Sequence, residues 1–493
     1  MGSIHDQAMQ YIYQQVLQRL LEHLSQAQRA SLQLLIQRLI VAAGGLERIK
    51  GLRLMFVFDG SQYGAQALAC LRAAQLSIAA RSPGTFQLRI ATARQAGMSS
   101  TVLGNIENTY SVLFMHDDPR IELLVLDAGQ LMTFDSRRAP SARQQQAERH
   151  EWLMLGHMSG VTTAAANFAS HGYLHLVELG RQALRWKGGV DAIISADPLS
   201  DRRRYLAWSR RSLRHADLLG VRPIHSCAAS LLDAMSDWRR HYLAWLLGQE
   251  QQPQPVTDSD CCGPVLRFIT IDDLVFDRDT PHGERLSEFL GYRVDEQADP
   301  CRQFGIANPL LLAHLQGLQA EFVDDGEYRD GIERYLSQTR RAMQQKALPD
   351  TLQRAVLGRW RPGEAGEQRR KEADEFAQQA YGLSEAQLVC QLFAPFVGRG
   401  RRLEAFLRRC HPGMLVALPY LHQALQGQPA PGPVKQWLAD ISGLPLPMLQ
   451  LLYGRESPAP LLAGLQVRGA DLRHLPPGGA TAGMVRGWSA GRR

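Results

Sequence analysis

Five apolar, β-prone runs in the first 273 residues each stop at an acidic or imidazole side chain beside a turn. The runs cover 54–59, 121–127, 190–197, 221–225 and 265–273, and they end at Asp59, Asp127, Asp197, His225 and Asp272-Asp273. Helical periodicity fills the gaps at 62–80, 100–115, 147–158, 173–186, 199–219 and 228–247, and a further strand is expected at 86–92. Alternation of this kind predicts a parallel sheet with helices on its faces. Ligands of such sheets bind beyond the carboxyl ends of the strands, so the polar run ends mark where a site would be built.

The same periodicities divide the chain. Residues 1–45 read as a helical hairpin, with Ser25 and Gln28 offering a capping box for its second helix. The alternating pattern gives a first α/β lobe at 46–135 and a second at 147–300, which form either one sheet or two Rossmann-like lobes. Between them, 136–146 has the polar composition of a linker or exposed loop, and 249–255 is a second flexible stretch. From 301 to 460 helical patterns take over, predicting an all-helical domain, and 461–493 reads as a flexible basic tail. The fold class is therefore α/β with a parallel core, a helical hairpin before it and a helical domain after it.

With 493 residues and 45% hydrophobic content, the chain can bury substantial cores. No apolar stretch reaches the ~20 residues of a membrane span, and the N-terminus lacks a signal-peptide pattern, so a cytoplasmic location is expected. Seven cysteines without Cys-x-x-Cys spacing read as reduced thiols. Of 55 basic residues only Lys50, Lys187, Lys346, Lys371 and Lys435 are lysine, leaving 55 − 5 = 50 arginines. That skew suits phosphate recognition, and a GC-rich genome produces it equally well.

Asp59 precedes Gly60-Ser61, Asp127 precedes Ala128-Gly129, and Asp197 precedes Pro198. If these strands are neighbours, their carboxylates converge and need a divalent cation between them, Mg²⁺ or Mn²⁺, with water and substrate phosphate as further ligands. The bland counterpart is that Asp is a common turn and N-cap residue. After Asp197, Arg203, Arg210 and Arg214 share one helix face with Tyr205 and Trp208 interleaved. This pattern fits either contacts to substrate phosphate and bases or an ordinary solvated face.

The run 56–68, Phe-Val-Phe-Asp-Gly-Ser-Gln-Tyr-Gly-Ala-Gln-Ala-Leu, resembles the opening strand and helix of universal stress proteins. It also resembles the Asp-Gly-Ser opening of the metal-dependent nuclease domains of the PIN-like group. Both resemblances cover about thirty residues of the chain. The first implies nucleotide binding, though the later glycine-rich phosphate signature is missing. The second implies metal-dependent nucleic-acid cleavage, and Ser195-Ala-Asp197 only faintly echoes that group's second acidic signature.

His225-Ser226-Cys227 lies at a run end, without the spacing of a nucleophile elbow. Asp272, Asp273, Asp277, Asp279 and His282 form an acidic segment that does not match an EF-hand loop. Residues 434–453 have the shape of a helix-turn-helix but no basic recognition face, so an ordinary helical hairpin is expected. The leading expectation is a divalent-metal-dependent enzyme acting on a nucleotide or nucleic acid. Asp59, Asp127 and Asp197 would hold the metal, while Ser61, Arg203, Arg210, Arg214 and His225 would bind substrate. The alternative is a non-catalytic nucleotide- or partner-binding regulatory protein, with the helical domain as its interaction surface.

Overall fold

The computed structural model describes residues 2–159, 164–214, 228–248, 266–275, 282–293, 308–345, 350–358 and 364–455. Helices α1 (Gly2–His23) and α2 (Gln26–Ala43) open the chain. The capping box forms as expected: Ser25 Oγ accepts the Gln28 N–H at 3.1 Å and Gln28 Oε1 accepts the Ser25 N–H at 2.9 Å.

Strands β1 (Arg53–Val57), β2 (Gln87–Ala93), β3 (Ile121–Asp127), β4 (Gln130–Thr133), β5 (Ala192–Ser195) and β6 (Arg267–Thr270) join one six-stranded mixed sheet. Their order is β4-β3-β2-β1-β5-β6. All neighbours run parallel except β3 and β4, which are antiparallel. Strand β4 was not anticipated. It folds back through a two-residue turn in which Ala128 (φ 49°) and Gly129 (φ 75°) both take left-handed conformations, the geometry that matches strand twist in tight hairpins. The strand expected at 221–225 lies outside the described residues.

Helices connect the strands: α3 (Gln62–Ala79), α4 (Ser100–Val112), α5 (Ala142–Ser159), α6 (Ala164–Arg185), α7 (Leu199–Arg214) and α8 (Ala228–Leu247). Short helices α9 (Asp272–Val275) and α10 (His282–Phe289) follow β6. One sheet face, carrying Leu54, Phe56, Ile90 and Ile194, packs with α1–α4, α9 and α10. The alternate residues Met55, Ala91, Leu124 and Ile193 pack beneath α6. The period-2 alternation of a strand thus serves two helical layers.

The remaining described residues are helical: α11 (Pro309–Leu318), α12 (Tyr328–Gln345), α13 (Asp350–Gly358), α14 (Glu364–Tyr381), α15 (Glu385–Phe393), α16 (Val397–Gly400), α17 (Leu403–Cys410), α18 (Leu418–Leu425), α19 (Gly432–Ser442) and α20 (Leu446–Gly454). Buried residues of this region form one core with Trp152 of α5, Val177 of α6, Trp208 of α7 and Trp238 of α8. Helices α19 and α20 make an apolar hairpin, with Leu438 and Leu449 fully buried. No basic residue lies in α20, so it presents no basic recognition face. Among the described residues no helix is long and apolar enough to cross a membrane.

Candidate functional site

The chain runs from β1 outward to β2 and β3 on one side, and from β5 to β6 on the other. The winding therefore reverses between β1 and β5, the position at which open parallel sheets place their ligand crevice. Phe56 pairs with Ile194 and Ser195 with Thr270. Asp59 and Asp197 each lie three residues past the first pair, and Asp197 and Asp272 two residues past the second. Three carboxylates thus leave the sheet at one level on the neighbouring strands β1, β5 and β6.

The turn after β1 is tightly specified. Gly60 takes φ +76°, and a Cβ there would meet Val102 Cγ1 of α4 at 2.7 Å. Ser61 caps α3 by accepting the Gly64 N–H, and Asp59 Oδ1 accepts the Ser61 N–H at 2.9 Å. A Cβ on Gly64 would come within 2.9 Å of the Phe58 ring and 3.1 Å of Asp59 Oδ1. Both glycines therefore let backbone and helix close around the Asp59 carboxylate.

Ser195 donates its hydroxyl to Asp197 Oδ2 at 2.9 Å. The Asp197 side chain meets solvent, yet protein walls it on its other sides. Lost hydration, with repulsion from Asp59 and Asp201, raises its carboxyl above the usual range against the pull of Ser195 and Arg202. Asp272 is already engaged: Arg202 donates to its Oδ1 at 2.6 Å and to the Asp197 carbonyl at 2.8 Å. Asp273 is held by a two-pronged bond from Arg38. Asp59 and Asp197 are the exposed carboxylates here, while nearby Asp201 is paired with Arg204 at 3.2 Å.

Asp127 is not brought to this group. Strand β2 stands between β3 and β1, a separation of about 10 Å at the usual strand spacing. Its carboxylate is buried and accepts the Ser141 hydroxyl at 2.6 Å and the Ser141 N–H at 3.1 Å, fixing the approach to α5. It does the turn work that the bland counterpart assigns to an Asp.

The basic helix divides in the same way. Arg203 and Arg210 are exposed on α7, whereas Trp208 is fully buried and packs against Tyr173, Tyr205 and Trp238. The Trp208 ring is therefore unavailable for stacking on bases; burial on the helical core wins over interleaving in sequence. The side chain of Arg214, together with His225, Asp277 and Asp279, lies outside the described residues.

Sequence reasoning missed a second polar cluster. Glu148 and Glu151 of α5 face His171 and His175 of α6. One ligand atom from each of Glu148, His171 and His175 lies within 4.8 Å of the other two, the one such three-residue group found among the described residues. Glu151 Oε1 is 3.1 Å from His171 Nδ1. Glu148 Oε2 accepts the Ala96 N–H just beyond β2, and Gln144 donates to Oε1. Burial raises the Glu148 carboxyl. Burial also works to lower His171, but Glu151 outweighs it and holds the ring above its ordinary value. His175 is driven well below its ordinary value by burial, then by His171 and Arg239, so its ring is neutral.

The two clusters are adjacent. Tyr173, between the histidines on α6, has its phenol pushed up to about 12 by burial and feels Arg204, Asp201 and Asp197. Elsewhere a groove of about 730 Å³ runs between α5 and the turns after α14 and α19, edged by Arg149, His150, Tyr381, Gln387 and Asp440. It contains none of the carboxylates above.

No protein-family description, curated protein or solved structure matches this chain.

Proposed function

We propose that this chain is a divalent-cation-dependent enzyme acting on a phosphate-containing substrate, a nucleotide or nucleic acid. The observation that carries the reading is the placement of Asp59 and Asp197 at equal steps beyond the paired residues of adjacent strands β1 and β5, on either side of the reversal in winding. Lost hydration raises the Asp197 carboxyl, and repulsion from Asp59 adds to it. A hard cation suits this pair, because Mg²⁺ and Mn²⁺ commonly take one or two carboxylates and fill their remaining positions with water and phosphate. When bound, such an ion neutralises phosphoryl charge and polarises water.

The chain's own groups supply the rest. Ser61 keeps the first turn of α3 directed at the recess, whose positive helix end favours an anion. Arg202 pins the turns after β5 and β6 together. Exposed Arg203 and Arg210 offer charge to a longer phosphate chain along α7. In this reading the hairpin 1–45 and the lobes 46–135 and 147–300 act together around one parallel core. Residues 301–460 form a helical domain against the second lobe, and the enzyme works in the cytoplasm.

The test is calorimetric titration of Mg²⁺ and Mn²⁺ with hydrolysis assays on nucleotides and single-stranded nucleic acid. Asp59→Asn and Asp197→Asn are each expected to abolish ion binding and lower activity by about 100-fold or more. Asp127→Ala is expected to cost about 1–3 kcal/mol of stability through the orphaned Ser141 groups, with ion binding intact. Equal loss from all three would contradict the assignment.

A non-catalytic partner-binding role is the second reading. It is favoured by the exposure of Val416 (85%), in the turn before α18, and Tyr420 (48%), in its first turn. Under it Asp59→Asn leaves function unchanged.

A further inference from the structure

We infer that Glu148, His171 and His175 form a binding site for a first-row transition-metal dication of the zinc type, separate from the aspartate crevice on the other side of α6. Each Glu148 oxygen faces one imidazole: Oε2 stands 4.0 Å from His171 Nε2 and Oε1 stands 4.0 Å from His175 Nε2. These separations are too long for hydrogen bonds. They lie close to the span of ligands around a single ion, since a tetrahedral zinc at 2.0–2.1 Å from each atom sets its ligands about 3.3 Å apart. All three ligand atoms lie within 4.8 Å of one another. Closure therefore asks for shifts of about 1.5 Å at most, within the reach of side-chain torsions.

The ligands are held from behind. Glu151 Oε1 lies 3.1 Å from His171 Nδ1, across the ring from the Nε2 that faces Glu148. That carboxylate–histidine arrangement is the usual support of a metal-bound imidazole. Glu148 is oriented in turn by the Ala96 N–H and by Gln144. Residues on both helices follow the period that aims them at one line: 144, 148 and 151 on α5, 171, 175 and 178 on α6.

Charge also favours a dication. Glu148, Glu151 and Glu178 are buried there. The cations facing them are Arg239 of α8, 3.3 Å from Glu178, and Arg181, 3.4 Å from Glu178. Arg239 also feels Glu151, His171 and His175, so three buried carboxylates face two guanidinium groups there. Two imidazoles and one carboxylate select a borderline ion such as Zn²⁺ over Mg²⁺. Three protein ligands leave a fourth position for water, with the site joining α5 to α6 beside the end of β2.

The experiment uses the full-length chain, purified without chelator, analysed for bound metals, then stripped and titrated with Zn²⁺ and Co²⁺. One ion per chain is expected, with the visible spectrum of tetrahedral Co²⁺ and a melting temperature that rises on adding Zn²⁺. His171→Gln/His175→Gln is expected to abolish this binding, and Glu151→Gln to weaken it about 10- to 100-fold. Asp59→Asn/Asp197→Asn should leave it intact. A wild-type chain that binds neither ion at micromolar concentration overturns the inference, whatever the variants do. So does Zn²⁺ binding that survives in a folded double-histidine variant.

Discussion

Asp197 is a carboxylate held where its charge is disfavoured, and that predicts a trade between function and stability. Its folded value is raised by lost hydration and by Asp59 and Asp201, so the folded state binds the proton more tightly than the unfolded chain does. The ion-free protein therefore loses stability as pH rises from the unfolded value through the raised folded one. Asp197→Asn is expected to melt at a higher temperature than the wild type at neutral pH without added metal, while losing ion binding. A lower melting temperature would mean that the crevice is not strained. Asp118 has the opposite sign. Burial works to raise its carboxyl, but the bond from Arg120 and the charge of fully buried Arg72 outweigh it and hold it at about 2. Its contribution, about 2 kcal/mol, is complete above the unfolded value of 3.8 and is lost as pH falls toward 2. In Asp118→Asn, acid unfolding should lose its component in that window.

At the scale of elements, local chemistry was legible and polar burial was not. The capping box of α2 depends on two side chains three residues apart, and it forms as the sequence implies. Ser25→Ala should lower stability by about 1 kcal/mol with ion binding unaffected, measured by urea unfolding. Helix α5 was harder to read at its start because the first residues it buries are Gln144, Glu148 and Glu151, ahead of the apolar run from Trp152. A search for apolar periodicity is blind to such a stripe, so 142–146 passed for linker. The usable signal was present in the four- and three-residue steps of those polar residues, matched by His171, His175 and Glu178. Strand β4 has four residues with no fully buried side chain. It is specified by its turn to β3 rather than by a pattern of its own.

Across the whole molecule, strand ends could be located from sequence, but their neighbours could not. Asp59, Asp127 and Asp197 look equivalent along the chain, and only the order β3-β2-β1-β5-β6 separates Asp127 from the other two. The same order brings in Asp272, two residues beyond the end of β6, where Arg202 pairs with it. That arrangement is set by non-local pairing, which no motif of this length encodes. Helix α6 packs against β2 and β4 and carries both histidines of the polar cluster and Tyr173, whose phenol feels Asp201 and Asp197. The most direct test of the account is a Mn²⁺ titration of the stripped full-length protein beside Asp59→Asn/Asp197→Asn, with the histidine cluster loaded with Zn²⁺ in both. One Mn²⁺ site in the wild type and none in the variant is the expected result, whereas an unchanged isotherm would contradict a cation site between β1 and β5.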